Sequence, residues 1–157
     1  MRPTPYSKAI RLGFMGGFAA LIVLAPLALA RTDGEIRGGY YADAEEGFAG
    51  GGFLVDMGDA WYFNPNLEWV FVENRDYFTI NADVHKDLNR GSGAAIWLGG
   101  GAGIIVTDSD FQDRNTDLGL NLLGGIGASQ GSVRPFSQFK MTISDTNEAS
   151  LAFGLRF

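Results

Sequence analysis

The chain has 157 residues, no cysteine, 18 acidic against 12 basic side chains, and 23 glycines. This length fits one domain; the absence of cysteine excludes a disulfide framework, and the acidic balance excludes nucleic acid, whose phosphates require clustered Lys and Arg. So much glycine also argues against a helical domain, where each interior glycine costs roughly 0.5–1 kcal/mol, while twisted sheets accept it at bends and close contacts.

The first thirty residues stand apart. Arg2, Lys8 and Arg11 make a positive start, and an apolar run from Phe18 to Ala30 ends on the small-x-small pattern Ala28-Leu29-Ala30. This is the pattern of a cleaved secretory leader. The run is shorter than the ~20 residues that a membrane-spanning helix needs, and Pro26 interrupts it. The expected division is therefore a signal peptide over 1–30 and a mature domain over 31–157. Three of the 12 basic residues fall in the leader, so nine basic and 18 acidic residues leave the mature part near −9.

Beyond Ala30 no apolar period of 3.6 residues persists, and alternation with period two takes over, the mark of strands. Eight strands are predicted. The first, Glu35 to Asp43, sets Ile36 and Tyr40 against Glu35, Arg37 and Asp43. The second, Phe48 to Met57, is glycine-rich and does not declare which face is which. The third, Trp61 to Glu73, is the clearest: Trp61, Phe63, Pro65, Leu67, Trp69 and Phe71 alternate with Tyr62, Asn64, Asn66 and Glu68. The fourth, Asp76 to Leu88, sets Phe78, Ile80, Ala82 and Val84 against Tyr77, Thr79, Asn81, Asp83, His85 and Asp87. The fifth, Ala94 to Val106, is again glycine-rich and without a readable parity. The sixth opposes Leu118, Leu120, Leu122 and Ile126 to Asp117, Gly119 and Asn121. The seventh opposes Val133, Phe139, Met141 and Ile143 to Arg134, Gln138, Lys140 and Thr142. The eighth opposes Leu151, Phe153, Leu155 and Phe157 to Ser150, Ala152, Gly154 and Arg156.

The connections predicted between them are Asp43–Glu46, Met57–Ala60, a tight Asn74-Arg75 turn, and a long acidic loop from Thr107 to Thr116. Pro65 and Pro135 donate no ladder bond, so bulges or missing bonds are expected there.

The apolar face carries too many large aromatics to point inward in a mature chain of about 127 residues, what remains of the 157 once the leader is removed. Turned outward they suit lipid, with Trp and Tyr near the interfaces. The opposite face carries Glu35, Arg37, Glu68, Asp83, His85, Arg134, Lys140 and Arg156, which can pair with one another inside a narrow barrel; the expected interior network is Arg37, Glu68, Asp83, His85, Arg134, Lys140 and Arg156. Lipid also demands closure, because an open edge there leaves backbone groups unsatisfied at several kcal/mol each. The expected fold is all-β, an eight-stranded antiparallel up-and-down transmembrane β-barrel.

The segments Pro65–Glu68, Leu98–Gly103, Leu118–Gly125, Arg134–Phe136 and Gly154–Phe157 resemble those of small bacterial outer-membrane barrels, the OmpA/OmpX/opacity-like superfamily. The resemblance covers essentially the whole mature chain. It implies an outer-membrane address, contact with lipid and lipopolysaccharide, and a monomer. It also implies that Phe153, Leu155 and Phe157 form the terminal signal read by the barrel-assembly machinery. The outer connections are shorter than those of adhesive members.

Sharper chemistry finds little support. A lipid A deacylase pattern would place His and Ser two apart on one face, but the sequence reads His85-Lys86-Asp87. A Ca²⁺ loop starting at Asp108 would need glycine at its sixth position and Glu at its twelfth, where Asp113 and Gly119 stand. The glycine clusters at 99–103 and 124–127 precede no helix and lack the phosphate-binding spacing. No catalytic residue, metal or cofactor is therefore expected. The leading expectation is a non-enzymatic barrel with a structural or surface-interaction role. Its rivals are a soluble, exported, lipocalin-like barrel around an apolar ligand and a lipid-modifying outer-membrane enzyme.

Overall fold

The computed structural model describes residues 31–72, 75–89, 93–109 and 112–157; the proposed leader and Asn74 lie outside them. Eight strands follow in order: β1 Thr32–Tyr41, β2 Glu46–Gly58, β3 Trp61–Val70, β4 Arg75–Asp87, β5 Ala94–Ser109, β6 Gln112–Ala128, β7 Arg134–Ile143 and β8 Glu148–Arg156. Each pairs antiparallel with the next, and β8 closes on β1 with Glu35 opposite Arg156 and Tyr41 opposite Ser150. The result is a closed up-and-down barrel. The start of β1, the end of β8 and the β2–β3, β4–β5 and β6–β7 connections share one end, called the inner end below. The other four connections share the outer end.

Alternation decides the faces. Leu67 and Trp69 are exposed while Asn66 and Glu68 are buried, and the same parity puts Ile80, Leu120, Phe139 and Phe153 outside. Trp69, the surest test of orientation, is 55% exposed. The two glycine-rich strands resolve as well. Phe48 and Leu54 of β2 and Ala95 and Trp97 of β5 are buried, whereas Phe53, Ile96, Leu98 and Ile104 are exposed.

Glycine supplies the room inside. A Cβ on Gly50 would strike the Leu67 carbonyl and press on Glu68, one on Gly99 would strike His85, and one on Gly125 would strike the Trp97 ring. Large inward side chains on one strand thus lie over glycines of the neighbour, and an eight-stranded barrel has no space for both.

Several predicted boundaries move. The first strand starts at Thr32 and stops at Tyr41, leaving Asp43 in the turn; the third stops at Val70; Arg75 belongs to β4. The long acidic loop is the main correction. Thr107 pairs with Asn115 and Ser109 with Gln112, so most of it is a continued hairpin. Its polar residues mimic a loop in sequence, but cross-strand backbone bonds form equally well in water. β6 first meets β7 at Leu120 opposite Ile143, so this hairpin stands beyond its neighbour at the outer end.

The prolines behave differently from each other. The β2–β3 pairing lapses between Gly52–Asn66 and Val55–Phe63, which is where Pro65 would have met Phe53. The Asn64 amide donates to the Phe53 carbonyl at 2.8 Å in place of the missing backbone bond. Pro135 lies past the last β6–β7 pair, Gly127 with Phe136, and interrupts nothing there. The register shifts fall elsewhere, at Asp56/Gly58 and Thr107/Ser109.

Candidate functional site

The inward parity of β1, β3, β4, β6, β7 and β8 fills the barrel with polar side chains. At its middle, Glu68 accepts from Arg37 Nη1 at 3.1 Å, from Lys140 Nζ at 2.6 Å and from the Tyr41 hydroxyl. Arg37 donates to Glu35 through both Nε and Nη2, and to Asn64 Oδ1 at 2.7 Å. Arg156 Nε reaches the other oxygen of Glu35 at 2.8 Å. Two carboxylates are therefore shared among three cations.

Amides make a second ring. Asn66 and Asn121 donate to the two oxygens of Asp83 at 3.1 and 2.8 Å, Asn81 donates to Asn66 at 3.0 Å, and Thr142 donates to Asn121 at 2.9 Å. Such charges are tolerable in a low-dielectric interior because each is paired and hydrogen-bonded.

The residues expected on the polar face divide three ways. Arg37, Glu68, Lys140 and Arg156 join through ion pairs, and Asp83 joins the amide ring. Arg134 is not brought to them: it pairs with Asp33 at 2.5 Å, with 16% of its side chain exposed. It is the first residue of β7, so inward parity there opens on the mouth rather than the middle. His85 is buried in the interior but makes no hydrogen bond; neither ring nitrogen has a partner.

His85 belongs to an aromatic layer at the inner end. It stacks on Tyr62 with ring centroids 5.5 Å apart and lies 5.5 Å from Trp97. The Arg156 guanidinium lies 4.5 Å from the centroids of both Trp97 and Phe136, a cation–π arrangement. Trp97 donates to Gln138 at 3.2 Å. Arg156 Nη2 has no partner.

Sequence reading left several of these residues out. Glu35, Asn64 and Asn66 stand on the predicted polar faces of their strands but not in the expected network, and Tyr41, which shares the parity of Arg37, was missed although alternation alone could have added it. Phe136 shares the inward parity of Arg134 and Gln138 and could have been added too, but Trp97 and Phe48 could not, since an inward aromatic reads as lipid-facing until the parity of its strand is known. Among the described residues no cluster of His, Cys, Asp and Glu is arranged to hold a metal ion.

Neither a family model nor a curated protein sequence matches the chain. Solved structures do. The N-terminal β-barrel domain of Pseudomonas aeruginosa OprF aligns at a TM-score of 0.69 with 15% identity, covering 80% of this chain and 95% of that one. Neisserial surface protein A aligns at 0.60 with 13% identity, covering 80% and 92%. Ail, the attachment invasion locus protein of Yersinia pestis, solved with the heparin analogue sucrose octasulfate, aligns at 0.50 with 14% identity, covering 81% and 99%. The chain thus has the fold of the small eight-stranded outer-membrane barrels.

Proposed function

We propose that the protein is an integral outer-membrane barrel, exported behind a leader cleaved near Ala30, with a structural role and no catalysis. One observation carries the reading: the polarity is inside-out. Glu68, Asp83, Asn64, Asn121 and Gln138 are among the most buried side chains, while Leu67, Trp69, Leu118, Leu120 and Phe153 are exposed. Water would penalise that outer surface, far larger than the few hundred Å² of contiguous apolar patch usual on soluble monomers. Lipid favours it. The lipocalin-like alternative would need the opposite arrangement, with the aromatics around an internal cavity. The enzyme alternative needs an activated nucleophile, and the one histidine hydrogen-bonds to no side chain.

Several finer assignments belong to the same reading. Phe153 and Phe157 face outward, with Leu155 between them on the same face, so the last strand can present the terminal motif to the assembly machinery. The protein is assigned as a monomer in contact with outer-membrane lipid and lipopolysaccharide. Its outer turns are short and acidic, with Asp43 and Glu45 in one and Asp145 in another. That charge opposes a polysulfated ligand such as the sucrose octasulfate held by the Yersinia protein. Any surface contact falls mainly to the protruding β5–β6 hairpin.

Membrane fractionation with gel mobility tests the proposal. The protein should sediment with outer membranes and, unheated, migrate as a compact band that shifts on boiling. Recovery as a detergent-free periplasmic protein would overturn it. Deleting Phe157 should lower the yield of the compact band; unchanged yield would remove the terminal-signal assignment alone.

A further inference from the structure

The inner end of the barrel holds a cup of about 290 Å³, lined by Tyr62, Asp87, Ser129, Gln130, Arg134 and Arg156 among others. Its floor is the aromatic layer, with Tyr62 and Arg156 at the surface and His85 one ring behind Tyr62.

Among the described residues, the buried side-chain nitrogen and oxygen atoms without a partner are Nδ1 and Nε2 of His85 and Nη2 of Arg156. All three belong to this one layer. Both residues are more than nine-tenths buried, at 1% and 6% exposure. Buried polar groups in folded proteins are almost always satisfied, and those that are not call for a specific partner. Both residues also pack on the same Trp97 ring.

The unmet capacity has a definite chemistry. Arg156 offers a guanidinium N–H that no protein oxygen accepts, and neutral imidazole offers one N–H and one acceptor nitrogen. An oxyanion answers the two donors together. The charge on the wall sets the limit. Arg134 is already paired with Asp33 at 2.5 Å, and Asp87 also lines the cup. The surroundings therefore favour a small ligand of low charge over a polyanion.

We infer that this cup binds a small oxyanion, a carboxylate or phosphate group of low charge, which displaces the Tyr62 ring to reach the enclosed donors of Arg156 and His85. The side from which it enters, the periplasm, rests on the membrane reading above; binding itself does not.

The test uses the refolded mature barrel in detergent micelles, titrated with sodium acetate or inorganic phosphate at constant ionic strength, with sodium chloride as control. His85 is the single histidine, so its imidazole resonances report the floor without ambiguity. The expected result is a saturable shift with acetate or phosphate, and none with chloride. The arm that saturates at lower concentration identifies the group. Arg156→Gln should weaken binding at least tenfold. Should that variant fail to fold, Arg134→Gln at the mouth should weaken it by about threefold in a barrel with unaltered gel mobility. No saturable shift with either oxyanion, or an equal shift with chloride, would overturn the inference. That failure in a barrel that still partitions with membranes would leave the membrane reading standing.

Discussion

Two regions of one interior solve the same problem differently. In the middle, Glu68 meets Arg37, Lys140 and Tyr41, and Asp83 meets two amides. At the inner end, His85 and Arg156 are just as enclosed and pack on aromatic rings, yet three of their nitrogen atoms have no hydrogen-bond partner. A network in low dielectric is strong when every member is satisfied and costly when one is not. The middle is therefore arranged for stability. The inner layer gives up part of that gain at the place where the barrel opens to a cup.

Breaking the middle should have the largest effect. Glu68→Ala strands Lys140 inside the barrel and takes one of two carboxylates from Arg37, and removing one partner of a buried ion pair costs about 3–5 kcal/mol. Urea unfolding of the barrel refolded into lipid vesicles should show that loss as a lowered midpoint. A change below ~1 kcal/mol would mean that lysine and arginine find other partners or water, and the contrast between the two regions would then collapse.

Crowding the inner layer should cost less. Gly125→Ala places a methyl against the buried Trp97 ring and near the Ser137 carbonyl, and overpacking of this kind costs about 1–3 kcal/mol. The same unfolding experiment measures it. Gly93→Ala is a suitable control, because nothing lies within 4 Å of its added methyl. Equal stability of the two variants would show that the layer is loose enough to absorb the methyl, weakening the case that its geometry is fixed.

How much of this could be read in advance follows the same division. Where a strand alternates strictly, as from Trp61 to Trp69, period two gave both the strand and its orientation, and with them Glu68 as an inward charge. Arg37, Lys140 and Arg156 followed from the same rule. Parity states which way a side chain points, but not how far along the barrel it lies; hence Arg134, on the inward face, ends at the mouth beside Asp33. In β2 and β5 the glycines erase the alternation, because a residue without a side chain marks neither face. Those strands supply Phe48 and Trp97 to the interior, so Trp97, the ring on which the rest of the aromatic floor packs, was hidden by the same glycines that make space for it. The β5–β6 hairpin was misread for another reason: its outer residues are polar at successive positions, so no alternation marks them as strand.

The smallest effect provides the sharpest comparison. His85→Phe keeps a ring of similar size between Tyr62 and Trp97, where the stacking distances of 5.5 Å on each side suit an aromatic. In the middle of the barrel, the loss of a polar group leaves its partners exposed to the full penalty of burial. Here no protein group bonds to the imidazole, so nothing is stranded, and the change also removes a polar group whose burial without a partner costs about 1–3 kcal/mol. The unfolding midpoint should therefore hold or rise slightly. A fall of 2 kcal/mol or more, on the order of losing a charge-assisted hydrogen bond, would mean that His85 has a partner in the membrane-embedded barrel, making the inner layer a second satisfied network. Stability retained together with loss of acetate or phosphate binding, followed by calorimetry since the imidazole is gone, would separate the two regions by purpose: charges in the middle that hold the barrel together, and a histidine at the mouth whose unused nitrogens serve a ligand.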